Sequence, residues 1–254
     1  MKRLPLLVFA TLSACAPHRA VTPVSSGTKS QPGTTASSGT VNDSIPLALR
    51  WYRASAEVQA IFIETYRAAT SALERSASSQ SGNAWGVIMD ADETVLDNSR
   101  YQQSRAARGY SADTWATWVK SQKAAALPGS VAFVQRVHEL GGKVSIVTNR
   151  ESALCAETEA NLRAVGLIID QVLCKPAGPD DNKNPRFAAV QNGAVPSTLP
   201  AMTVVMWLGD NIKDFPGASQ QLRSSGAAAF AEVGRTWFVF PNPLYGSWER
   251  NPVP

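Results

Sequence analysis

Histidine is almost missing from this chain. His18 and His138 are the only two, and neither has a partner at a spacing that holds zinc, so zinc-centred and histidine-based chemistry are excluded. Cysteine is scarce as well, with Cys15, Cys155 and Cys174. No arginine stands six residues after Cys155 or Cys174, which excludes a thiolate loop built to attack anionic esters. A large charge excess is also lacking. The formal charge is +4, and Lys2 and Arg3 supply half of it, too little to argue for a nucleic-acid partner. The apolar run that ends at Leu12 is far too short to cross a bilayer, and no internal repeat is visible. What remains is 44% apolar and 17% charged residues over 254 positions, material for one large core or one core with a small accessory part.

Against this plain background one stretch stands out, Trp85 to Ser99, W-G-V-I-M-D-A-D-E-T-V-L-D-N-S. The apolar run Val87 to Met89 ends abruptly in Asp90 and Asp92, with Thr94 next. It reads as a buried strand that delivers two carboxylates to a loop.

The rest of the chain alternates. Residues 45–79 carry Leu49, Tyr52, Val58, Phe62, Tyr66 and Leu73 at helical spacing, one or two amphipathic helices. Residues 101–126 read as helical, polar and aromatic, and Val131 to Leu140 as a helix closed by Gly141-Gly142. Strands follow at Lys143 to Val147, Leu167 to Leu173, Val204 to Leu208 and Thr236 to Phe240, with helices near 153–164 and 187–191. Such alternation predicts an α/β fold with a mostly parallel sheet flanked by helices. In those sheets ligands bind at the carboxyl ends of the strands. The residues expected there are Asp90 and Asp92, Thr148, and Asp210.

Residues 1–15 resemble a bacterial lipoprotein signal, with a basic start, an apolar run and the box Leu12-Ser13-Ala14-Cys15. The resemblance implies a leader over 1–14 and acylation of Cys15. By its likeness to bacterial sorting signals, Ala16 implies the outer membrane. Residues 16–44, rich in Ser, Thr, Gly and Pro, read as a tether. Cys155 and Cys174 then face an oxidising compartment. A bridge is geometrically reasonable, since both fall at one edge of the sheet, but two separate core thiols fit the sequence nearly as well.

Carboxylates at strand ends suit a phosphate-transfer site. A phosphate monoester is dianionic near neutrality and repels a bare carboxylate, so the chemistry needs a hard divalent cation, Mg2+, between them. Asp90 is the candidate nucleophile and Asp92 the candidate acid and base. Thr148 offers a hydroxyl and Lys183 a positive charge to the transferring group. Asp210 offers an oxygen ligand to the metal, and Asp214, one turn later, orients metal waters or Lys183. These motifs resemble the four of the haloacid dehalogenase (HAD) superfamily. The longer strings D-E-T-V-L-D-N-S, T-N-R, K-N-P-R-F, G-D-N-I-K-D-F and P-N-P-L-Y-G-S-W-E resemble its class C acid phosphatases, the outer-membrane lipoprotein 5'-nucleotidases. The resemblance spans about residues 45–250. Lys175 competes with Lys183, and the spacing to Arg186-Phe187 favours Lys183. Ala91 replaces a larger apolar residue of the family without touching either carboxylate.

The resemblance implies a HAD-like Rossmannoid domain over 45–254, with a small helical cap-like region at 99–130. It also implies hydrolysis of small phosphomonoesters, nucleoside 5'-monophosphates foremost, with Asp90, Asp92, Asp210 and Asp214 around the metal. Thr148 and Asn149 would contact substrate, and Trp115 and Tyr245 would line the pocket by stacking on a base. Trp118, Trp248 and His138 are read as structural. A calcium loop counted from Asp90 fails, with Val95 at the sixth place and Tyr101 at the twelfth. The competing readings are a non-catalytic binding lipoprotein and a phosphotransferase using the same intermediate; the oligomeric state, a dimer included, stays open.

Overall fold

The computed structural model of the protein describes residues 45–80 and 82–253. Cys15, the leader and the tether lie outside the described residues. Two helices come first, α1 (Leu47–Ala54) and α2 (Ala56–Ala77). The Ser55 side chain caps α2 by accepting from the Val58 amide at 3.2 Å. Val58, Phe62, Tyr66, Ala69 and Leu73 recur every three or four residues and are all buried, so α2 presents one apolar face to the core. No helix among the described residues is long and apolar enough to cross a membrane.

Next comes β1 (Trp85–Met89), buried along its whole length. A short ribbon and two helices follow: β2 (Leu96–Asp97), α3 (Ser99–Arg105), α4 (Ala112–Ser121) and β3 (Ala125–Ala126), with β2 and β3 antiparallel. The sequence predicts one helical stretch here, whereas the chain breaks between α3 and α4, where Gly109 takes a φ of 69° and Ser111 caps α4. Then α5 (Ser130–Glu139), β4 (Lys143–Glu151), α6 (Cys155–Ala164), β5 (Gln171–Lys175), α7 (Asn184–Asn192), β6 (Thr203–Gly209) and β7 (Trp237–Val239) complete the fold.

Five strands form one parallel sheet in the order β5-β4-β1-β6-β7. Helices cover both faces, the α/β arrangement that the alternation predicts. Side chains alternate along β1. Val87 and Met89 join Phe62, Phe133, Val137 and Phe240 on the face of α2 and α5. Ile88 joins Leu173, Phe187 and Val190 on the face of α7. Phe240 is the hub of the first face, stacked on Phe62 at 5.3 Å and tilted on Tyr66 at 4.6 Å between ring centroids.

Two strands depart most from the sequence expectation. The third strand runs Gln171–Lys175, because α6 ends in a turn at Gly166 and the Leu167 amide bonds back to the Leu162 carbonyl. Asp170 is held there by the Val144 amide at 2.8 Å. The second strand continues past Val147 to Glu151, placing Thr148 and Arg150 within it. Cys155 and Cys174 are bridged, joining the start of α6 to β5.

Candidate active site

Hydrogen bonding of the central sheet continues one residue past β1, where the Asp90 amide donates to the Leu208 carbonyl at 2.9 Å. Asp90 therefore stands at the carboxyl end of the sheet's middle strand. Beyond it the chain cannot stay extended, because the Val95 and Leu96 amides both bond back to the Ala91 carbonyl. Glu93 takes a left-handed φ of 55° in this turn. Asp90 and Asp92 thereby face different surroundings.

Asp90 faces a cluster. One carboxylate oxygen from each of Asp90, Asp210 and Asp214 lies within 4.8 Å of the others. Asp210 follows β6, and Asp214 closes a short 3-10 turn whose Asn211 side chain caps it. Gly209 is required at the end of β6, since a Cβ there would run into the Asp214 side chain. Lys183, at the N-terminus of α7, donates to Asp90 Oδ1 and, at 2.6 Å, to Asp214 Oδ1. Lys175 is elsewhere, bonded to the Gly178 carbonyl, so Lys183 is the lysine of the site.

With all groups ionised, three carboxylates and one ammonium would carry a formal charge of about −2 in a largely buried volume. Burial pushes the Asp90 carboxyl up to about 7; Lys183 opposes the rise, while Asp214 and Asp92 add to it. Burial also raises Asp210 well above the carboxylate range, with Asp214 and Asp90 reinforcing it. Burial alone would push Lys183 down, but Asp214 and Asp90 turn the balance upward, so it stays cationic. A hard divalent cation matches both the oxygen donors and the missing charge. Within the cluster Asp214 has both oxygens engaged, by Lys183 and by the Asn211 amide, while Asp210 Oδ2 accepts from Asn242 at 2.7 Å. Asp90 and Asp210 are the better placed to hold an ion.

The Asp92 carboxylate lies outside that group of three. Its carboxylate turns to Arg150, which meets it through Nε and Nη2, and to Asn98 Nδ2 at 2.8 Å.

Thr148 is buried on β4, and its Oγ1 accepts from the Arg150 amide at 3.2 Å. Asn149 is exposed; its side chain accepts from Arg186 and donates to the Asp181 carbonyl. Trp115, on α4, stands edge-on to Tyr101 at 5.1 Å, with the Arg150 guanidinium 5.5 Å from its ring centroid. The Tyr245 hydroxyl bonds to Glu93 Oε2. Trp118 packs against the core and donates to Asn98 Oδ1. His138 pairs with Asp170 at 2.8 Å, which the Val144 amide holds near the start of β4.

Sequence reasoning passed over Glu93, Asn98, Arg150 and Asn242. Glu93 is fully buried, and burial, reinforced by Asp92 and Asp210, pushes its carboxyl well up. Arg150 lies inside the T-N-R string and Asn242 inside P-N-P-L-Y, but no periodicity distinguishes a buried polar anchor from a loop residue.

Residues 10–248 match the family pattern of the HAD superfamily, subfamily IIIB (Acid phosphatase). The class C acid phosphatase from Bacillus anthracis is 28% identical, superposes with a TM-score of 0.70, and shares 80% of this chain and 85% of its own. The same relative with tungstate bound matches equally well. A parallel sheet with acidic strand ends, a matching family pattern and these relatives agree: the chain belongs to the acid phosphatases of HAD subfamily IIIB and is a phosphomonoesterase.

Proposed function

We propose that the protein is a divalent-metal-dependent acid phosphatase that hydrolyses nucleoside 5'-monophosphates through a phosphoryl group carried on Asp90. The observation that carries this reading is the largely buried Asp90, Asp210 and Asp214 cluster with Lys183 bonded to Asp90 and Asp214. A bound Mg2+ would supply charge neutralisation and polarise a phosphate oxygen, with Asp90 and Asp210 holding it.

The protein's own groups carry the remaining steps. The free oxygen of Asp90 attacks phosphorus, and the bond to the leaving alcohol breaks as Asp92 hands that oxygen a proton. Asp92 then takes a proton from the attacking water as the bond between Asp90 and phosphorus opens. Lys183, fixed between Asp90 and Asp214, keeps the nucleophile in place and offsets charge on the transferring group. Thr148 supplies a hydroxyl donor, with Asn149 beside it. Trp115 and Tyr245 would hold the base by stacking, the hydroxyl of Tyr245 being anchored on Glu93. The tungstate in the B. anthracis enzyme is a tetrahedral oxyanion, which supports an oxyanion-binding site here.

The leader and Cys15 lie outside the described residues. On sequence alone we place the enzyme at the bacterial outer membrane, acylated on Cys15 and tethered by residues 16–44. Cys15→Ser should move it from the detergent-rich phase to the aqueous phase.

Phosphate release from AMP and p-nitrophenyl phosphate, with and without chelator, tests the reaction. Release that needs a divalent ion, and that Asp90→Asn abolishes in a folded protein, is the expected result. Near-normal turnover by Asp90→Asn, or chelator-insensitive turnover, would overturn it.

A further inference from the structure

Arg150 has no role in the reaction as written, yet its placement is unusual. It is a full guanidinium held inside the protein, with 1% of its side chain exposed. Surface arginines are ordinary; a buried one is retained only where its donors are used. Three groups use them. Nη2 reaches Asp92 Oδ1 at 2.8 Å, and Nε reaches Oδ1 at 3.0 Å and Oδ2 at 3.2 Å. Nη2 also donates to Asn98 Oδ1 at 3.3 Å and Nη1 to Thr158 Oγ1 at 3.4 Å. The Trp115 ring closes over the planar end, a cation–π contact that adds to the hold.

The two oxygens of Asp92 are not treated alike. Oδ1 takes Arg150 Nη2, Arg150 Nε and Asn98 Nδ2. Oδ2 takes only the longer contact from Nε. An oxygen with three donors has no lone pair to spare for a proton, whereas one with a single long contact does. The fork therefore fixes the carboxylate plane and leaves one defined oxygen free.

We propose that Arg150 is a positioning residue that clamps Oδ1 of Asp92 and so makes Oδ2 the atom that exchanges the proton with the leaving group. This rests on Asp92 being the acid and base of the proposed reaction. The proton passes from Oδ2 to the ester oxygen as the ester P–O bond breaks and the bond from Asp90 to phosphorus forms. In the second half Oδ2 recovers a proton from water. Lysine cannot reproduce the fork, since it offers a point charge without a planar pair of donors.

The test compares leaving groups, read as kcat/KM so that the phosphorylation step is reported. Glycerol 1-phosphate must have its alkoxide protonated on departure, whereas p-nitrophenolate leaves as the anion. Misplacing a catalytic group by an ångström costs up to about 100-fold. Arg150→Lys should therefore lose on the order of 100-fold with glycerol 1-phosphate and less than about threefold with p-nitrophenyl phosphate. Combined with Asp92→Asn, it should cost nothing further with the alkyl ester, because a clamp on an absent acid has no effect. Equal losses on both esters, no loss on either, or an additive loss in the double variant would overturn the proposal. Should Arg150→Lys not fold, Arg150→Gln, which keeps a planar amide donor, takes its place. If neither folds, Arg150 is a structural residue and the proposal falls. The underlying reading fails separately: Asp92→Asn alone would then lose equally on both esters, or the unaltered enzyme would turn over neither.

Discussion

Replacing Asp90 by asparagine separates what this carboxylate does for the reaction from what it does to the fold. Asp90 is 7% exposed, and burial, opposed by Lys183 and reinforced by Asp214 and Asp92, carries its carboxyl from 3.8 to about 7. The metal-free folded protein thus holds this proton more tightly than the unfolded chain. Between the two values the folded form binds more protons, so its stability falls as pH rises from about 4 to about 7. A shift of about three pH units, at ~1.4 kcal/mol each, puts the upper bound of that loss at about 4 kcal/mol. Asparagine cannot ionise, and in the variant Lys183 keeps Asp214 at 2.6 Å. Stripped of divalent ions, Asp90→Asn should be as stable as the natural chain near pH 4 and more stable at about pH 8, by up to about 4 kcal/mol. Urea unfolding across that range reads the difference directly. A saturating divalent ion should reverse the order, because it binds the folded carboxylates and stabilises by mass action. Parallel stability curves for the two proteins throughout the window would refute the reasoning.

Tyr245→Ala should lower kcat/KM for AMP by about tenfold, the value of one lost stacking contact, and leave p-nitrophenyl phosphate nearly unchanged; equal losses would make Tyr245 a packing residue. Removing the bridge by Cys155→Ser with Cys174→Ser frees a loop with a sequence separation of 19 and should cost about 3 kcal/mol in thermal or urea unfolding. Asp170 should act on pH in the opposite sense to Asp90. Burial tends to raise its carboxyl, but Lys143, the Val144 amide and His138 together hold it below the ordinary range, so its contribution is present above the ordinary carboxylate value and is lost as pH falls through the lowered one. Asp170→Asn should therefore destabilise at neutral pH and converge with the natural chain in strong acid; a constant gap at all pH values would remove Asp170 from the account.

What the sequence made legible follows from how each feature is encoded. β1 and β6 each contain an apolar run followed closely by an aspartate, and the run in β4 reaches Thr148 before the strand continues to Glu151, so the ends of the apolar runs pointed to Asp90, Thr148 and Asp210. β5 was harder, because Leu167 and Ile169 look like strand residues but pack against the core from a turn. The bridge could not be chosen over two core thiols, since the cysteines touch only once α6 and β5 are folded. Least legible were the buried polar anchors. Arg150 reaches Asp92 across 58 residues and Asn242 reaches Asp210 across 32, and a side chain's partner at such distances is fixed by tertiary packing, not by local spacing.

The same distinction explains how two aspartates two residues apart reach different fates. On an extended strand they would point to the same face, but the turn at Glu93 lets each find its own cation. Asp90 is paired with Lys183, a point charge that binds Oδ1 and is shared with Asp214, so its second oxygen stays available within a cluster short of positive charge. Asp92 is paired with Arg150, a fork that fixes the plane of the carboxylate. A nucleophile needs one uncommitted oxygen and neutralised surroundings; a proton carrier needs a fixed direction. Lysine suits the first requirement and arginine the second. Exchanging them, with Lys183→Arg, should therefore impair every substrate alike, because a second donor on Asp90 would occupy the attacking oxygen whatever the leaving group.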